Sequence, residues 1–151
     1  MRLTLLVAVL ASIGCAGLIT AGEEERLRDA ERRWAAAGIR DYTFEMRTSC
    51  FCPTEIIQWA VVTVRDGQVV AAHSPDGAPL AGFDLASRKT VEQLFAIARS
   101  KPDYIGDIDF EFDDELGYPL RISLQEKKNV ADASATYEAR NLVPEAVAQG
   151  G

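Results

Sequence analysis

The sequence predicts an α+β fold: two helices packed on one face of an antiparallel sheet of about six strands. Three observations predict it. Runs that alternate apolar and polar residues come in two groups, at 41–48, 58–65 and 68–73, then at 107–113, 120–125 and 132–141. One segment with apolar residues at helical spacing precedes each group, at 23–38 and at 90–100. Asp66-Gly67 sits between two β-rich runs and is a type I′ hairpin signal. The order is therefore α-β-β-β-α-β-β-β, and grouped strands favour antiparallel pairing over single βαβ crossovers.

In the first helix, Leu27, Ala30, Trp34 and Ala37 make one apolar stripe. Glu23, Glu24 and Glu25 lie at its N-terminal end and Arg32 and Arg33 near its C-terminal end, as the helix dipole favours. Glu24–Arg28 and Asp29–Arg33 are i,i+4 pairs, and Gly38 suits the C′ position. Trp34 reads as a core anchor. In the strand that follows, Tyr42, Phe44 and Met46 face one way and Thr43, Glu45 and Arg47 the other. Continuing that alternation puts Cys50 and Cys52 on the apolar face, at the rim of the core.

A two-residue Asp66-Gly67 loop pairs Arg65 with Gln68, Val64 with Val69, Val62 with Ala71, and Ala60 with His73. His73 then closes an apolar face as a packing residue. Residues 74–87 read as a loop, with Pro75-Asp76-Gly77 and Pro79 as turn chemistry. Thr90 and Gln93 fit a capping box for a helix whose inner stripe is Val91, Leu94, Phe95 and Ala98, and Pro102 stops it. Ile108, Phe110 and Phe112 point inward on the fourth strand. Leu120, Ile122 and Leu124 share a face of the fifth, and Ala131, Ala133, Ala135, Tyr137 and Ala139 share one of the sixth.

The first residues read as a targeting segment. Arg2 is a minimal positive region, Leu3 to Ile13 is apolar, and Gly14-Cys15 resembles the end of a bacterial lipobox, with Ser12 where a bulky aliphatic residue is usual. Cys15 is thus a lipidation candidate. Cleavage after Ala21 is the second route, and an uncleaved anchor the third. The expected organisation is a signal at 1–21, one α+β domain at 22–142 and a flexible tail at 143–151. The protein is expected to be exported, either lipid-anchored in the cell envelope or secreted to the periplasm or beyond. Loss of the leader takes Arg2 with it and moves the formal charge from −7 to −8. So acidic a chain lacks the basic surface that nucleic acid requires. It is expected to meet the membrane only through an N-terminal lipid or anchor.

The mature chain keeps Cys50 and Cys52, an even number for an oxidising compartment. Three readings stay open for them. A disulfide needs a bulge or turn, because residues two apart in an extended strand lie about 6.5–7 Å apart, at or past the bridging limit. Redox exchange needs a cation near the sulfur, and the local one, Arg47, points to the opposite face. A soft ion such as Cu(I) suits two thiolates, with His73 as the obvious third ligand. The acids from Asp107 to Glu115 fail the Ca²⁺-loop pattern, since Tyr118 stands where the twelfth-position acid belongs. No phosphate-binding loop, nucleophile elbow or zincin motif is present, and nothing flanks His73 to make it part of a catalytic triad. The expectation is a protein without enzymatic activity or cofactor, exported to bind or support an envelope or extracellular partner. The alternative is a thiol–disulfide redox or soft-metal protein that uses Cys50 and Cys52.

Trp34, Gly38, Asp41-Tyr42-Thr43-Phe44, Cys50-Phe51-Cys52-Pro53, the Val62–Val69 hairpin, Thr90 to Phe95 and Glu115-Leu116-Gly117-Tyr118-Pro119 occur in that order. The chain resembles in this the bacterial domain of unknown function 6174 family, exported proteins and lipoproteins, over about Trp34 to Leu142. The resemblance implies export and a single domain, and brings no established activity.

Overall fold

Two short helices interrupt the expected order. The computed structural model describes residues 21–100 and 102–145. Its elements are α1 (Ala21–Ala37), β1 (Tyr42–Cys50), α2 (Thr54–Ile57), β2 (Ala60–Arg65), β3 (Gln68–His73), α3 (Gly82–Ala86), α4 (Val91–Arg99), β4 (Ile105–Phe112), β5 (Pro119–Glu126) and β6 (Ala135–Pro144). The strands form one six-stranded sheet in the order β3-β2-β1-β6-β5-β4, antiparallel throughout. Each half of the chain is a meander, and the β1–β6 ladder joins the two. The fold is α+β, as the grouped strands predicted.

One sheet face carries Tyr42, Phe44, Met46, Val62, Val64, Ile108, Phe110, Ile122 and Ala139, all buried. Leu27, Ala30 and Trp34 of α1 and Val91, Leu94, Phe95 and Ala98 of α4 join the same cluster. The Trp34 ring meets Tyr42 edge-on at 5.4 Å, and Phe95 stacks on Phe112 at 6.2 Å. Polar ends of these anchors are satisfied. Trp34 Nε1 donates to Glu92 (3.0 Å), and the Tyr42 hydroxyl donates to Glu92 and accepts from the Val91 amide (2.8 Å). Burial pushes the Tyr42 pKa far up, so the hydroxyl stays neutral and keeps its proton for Glu92. The Thr90–Gln93 capping box is formed in both directions.

Several register details differ from the expectation. The Asp66-Gly67 turn has the positive φ values of a type I′ turn, 48° and 70°, and the first two pairs form as predicted. Val70 is then an extra residue, a bulge opposite the Thr63/Val64 step. It stands 51% exposed. The bulge slips the register by one, so Val62 meets Ala72 and Val61 meets His73. Ala72, not Ala71, enters the core, and His73 goes to the open face. Ala37 is exposed because α1 passes the edge of the core in its last turn. Asp29 pairs with Arg32 rather than Arg33, whose Nη2 reaches the Asp113 carbonyl instead. Residues 82–86 form α3 where a loop was expected. Pro144 belongs to β6, and the Glu145 amide donates to Asp41 O (2.8 Å), so the sheet runs past residue 142.

The opposite sheet face is open, and on its central strands β1 and β6 four charges are paired. Arg47 meets Glu138 at 2.5 Å and Arg140 meets Glu45 at 2.8 Å. Both guanidinium groups lie over the Trp59 ring, at 4.9 and 3.9 Å.

Candidate functional site

The last turn of the β1 alternation places Met46, Thr48 and Cys50 in the inward series, and β6 holds Cys50 opposite Ala135. The chain then bends at Phe51 and returns through Cys52. The two sulfurs are bonded, with the Cα atoms 5.1 Å apart, well inside the span of an extended strand. Both cysteines are half-buried. The bend throws Phe51 outward until it is 87% exposed, the most exposed of the large apolar side chains described.

Pro53 starts α2, and its carbonyl accepts from the Ile56 amide at 3.0 Å. So short a helix cannot hold itself. Arg88, only 4% exposed, holds it from below. Its Nη2 donates to Glu55 O (2.9 Å) and its Nη1 to Gln58 O (3.2 Å) and Ile56 O (3.4 Å). Burial lowers the Arg88 pKa from its ordinary value, and nearby Asp84 partly offsets this.

Beside the bridge lies an open groove of about 460 Å³, lined by Cys50, Cys52, Ile56, Lys89, Tyr104 and Tyr137, and by Asp132–Ser134. Burial first, then the neighbouring Tyr104, push the Tyr137 pKa up, so its phenol remains a hydroxyl. Glu126 organises the segment before β6: its Oε2 accepts from the amides of Ala133 (2.7 Å) and Ser134 (2.6 Å). Hydrogen bonds from Ser134 first, and from Ala133, hold its carboxyl below the ordinary 4.5. A depressed folded-state pKa contributes order that is full above the unfolded value and lost as pH falls through the folded one. Amide exchange at Ala133 and Ser134, corrected for intrinsic rates, is therefore expected to speed up selectively in acid below about pH 4.5. Uniform protection at Ala133 and Ser134 down to the onset of global unfolding would contradict this.

The structure brings Cys50 and Cys52 together but not His73. That residue ends β3, two strands away from β1 and on the opposite sheet face, where it bridges Pro79. Alternation reversed by the Val70 bulge is the reason. Among the described residues, no three His, Cys, Asp or Glu side chains gather to hold a metal ion. Cys15, the lipidation candidate, and the other residues through 20 lie outside the described residues. Sequence reasoning overlooked Lys89, Arg88, Tyr104 and the outward throw of Phe51. Arg88 and Lys89 stand just before a helix cap, and no local pattern links them to Cys50.

No curated protein and no solved structure matches the chain. The profile of a family of unknown function, DUF6174, matches residues 26–144, which takes in both meanders, the bridged corner and the Gly117 turn. With most of its length inside that match, the chain belongs to the DUF6174 family.

Proposed function

We propose that the protein is an exported binding domain, anchored in the envelope or secreted, that meets its partner through the bridged Cys50–Pro53 corner without catalysing a reaction. The observation that carries this reading is Phe51, an 87% exposed aromatic ring held between two bonded cysteines. Binding hot spots are enriched in aromatic anchors, and pre-ordering such an anchor lowers the entropy lost on association. The centre of the open sheet face is a poorer contact surface, because Arg47, Glu138, Arg140 and Glu45 already satisfy one another. The apolar leader with Cys15 supports export.

A photoreactive phenylalanine analogue at position 51, expressed in the native host, is expected to give a discrete crosslinked species in the envelope or medium. The same analogue at Val143, also exposed, is the control. The species should disappear in a Cys50→Ser/Cys52→Ser variant. Once the partner is purified, Phe51→Ala should weaken binding by about 30-fold, near 2 kcal/mol. Equal crosslinking at 51 and 143, or none at 51, would overturn the reading.

A further inference from the structure

We propose that the Cys50–Cys52 bridge is a thiol–disulfide exchange site, and that its substrate is a polypeptide dithiol laid in the groove beside it. This rests on the reading of the corner as the partner-contacting element, and it names that partner's chemistry.

Three placements carry the inference. The bridge is accessible: both cysteines are half-buried and both line the open groove. A basic residue, Lys89, lines the same groove as the two cysteines. An ammonium near a sulfur stabilises the thiolate that exchange must release. Arg47, the basic residue nearest in sequence, lies on the open face and is occupied by Glu138. Third, the two cysteines are held unequally. Cys50 is fixed in the β1–β6 ladder opposite Ala135, while Cys52 sits outside any strand, in the link to α2. Opening the bridge therefore leaves the sheet intact. The groove walls suit a peptide: Ile56, Tyr104 and Tyr137 supply apolar surface, and Tyr104 is half-exposed.

The chemistry balances without a further reagent. A substrate thiolate attacks one bridge sulfur, forming a mixed disulfide and breaking the Cys50–Cys52 bond. The released sulfur leaves as a thiolate into the groove that Lys89 lines and then takes a proton. The second substrate thiolate attacks the substrate sulfur of the mixed disulfide and expels the remaining cysteine. The substrate ends as a disulfide and the protein as a dithiol, with two electrons and two protons transferred.

Purified mature protein, bridge intact, should be mixed at neutral pH with a short synthetic peptide carrying two cysteines. Alkylation at timed intervals and mass spectrometry then count protein thiols. The folded protein is expected to react at least about tenfold faster than the same chain unfolded in urea, where the groove is gone but the bridge remains. Lys89→Met should slow the folded reaction by about threefold to tenfold and move its pH profile upward, and Lys89→Arg should restore both. A folded rate equal to or below the unfolded one, or a Lys89→Met rate and pH profile unchanged, would overturn the proposal. The assay contains no native partner. Exchange without Phe51 crosslinking would refute the binding reading alone, and crosslinking without exchange would refute the exchange site alone.

Discussion

Replacing Gly117 by alanine is expected to lower the melting temperature by about 10–20 °C, the loss of about 3–5 kcal/mol in a domain of this size. Two costs combine. Gly117 has φ +81°, a left-handed conformation that costs an L-residue about 1–2 kcal/mol. A Cβ there would also sit well inside van der Waals distance of the Ala30 carbonyl oxygen and 2.9 Å from Arg33 Cβ. Those atoms belong to the backbone and first side-chain carbon of α1, which cannot rotate away, so helix and turn must separate. Overpacking of this kind costs about 1–3 kcal/mol or more. The turn has little slack, because Asp113 N donates to Tyr118 O (2.9 Å) and Leu116 N to Asp113 Oδ1 (2.6 Å). Gly77→Ala is the control: φ is +89° there, but no atom lies within 4 Å of the added carbon. Thermal unfolding followed by circular dichroism separates the two costs. Equal melting temperatures for the two variants would show that contact with α1 contributes nothing.

Arg88→Met is expected to cost about 2–4 kcal/mol in urea unfolding and to free the segment from Pro53 to Gln58 before the rest of the domain opens. The guanidinium is the shared donor for three carbonyls, and a carbonyl left without a donor costs about 1–3 kcal/mol where water cannot replace it. Methionine fills similar volume, so a cavity does not confuse the result. Arg88→Lys should recover little, since a point charge cannot reproduce a planar fork that reaches three acceptors. Hydrogen exchange at the Ile56 amide, which donates to Pro53 O, reports the local opening. A loss under about 0.5 kcal/mol, with Ile56 still protected, would remove Arg88 as the pin of the corner.

Much of the fold was legible because it is written locally. Tyr42, Phe44 and Met46 alternate against Thr43, Glu45 and Arg47, and burial follows that alternation. Thr90 and Gln93 lie three residues apart and form the cap their spacing predicts. Asp66-Gly67 supplies the two positive φ values its turn requires. Each departure has its own cause. His73 was placed on the wrong face because one extra residue, Val70, inverts everything after it, and a bulge has no composition of its own. The loop reading at 82–86 failed because a five-residue helix is too short to show a period. Arg33 chose the Asp113 carbonyl over Asp29 because a turn 80 residues away came within reach.

By itself the sequence determined the class of fold, the antiparallel grouping of strands, and the arrival of Cys50 at the inner rim of the sheet. These follow from side-chain periodicity and turn chemistry, which act over a few residues. Only the tertiary structure decided what surrounds the cysteines. It put Lys89 and Tyr137 in one groove with the bridge, set Arg88 beneath α2, turned Phe51 to solvent and carried His73 to the far face. Those placements depend on strand order, on one bulge and on contacts between segments more than thirty residues apart. No local pattern encodes them, because each is fixed by the packing of the whole sheet and its helices.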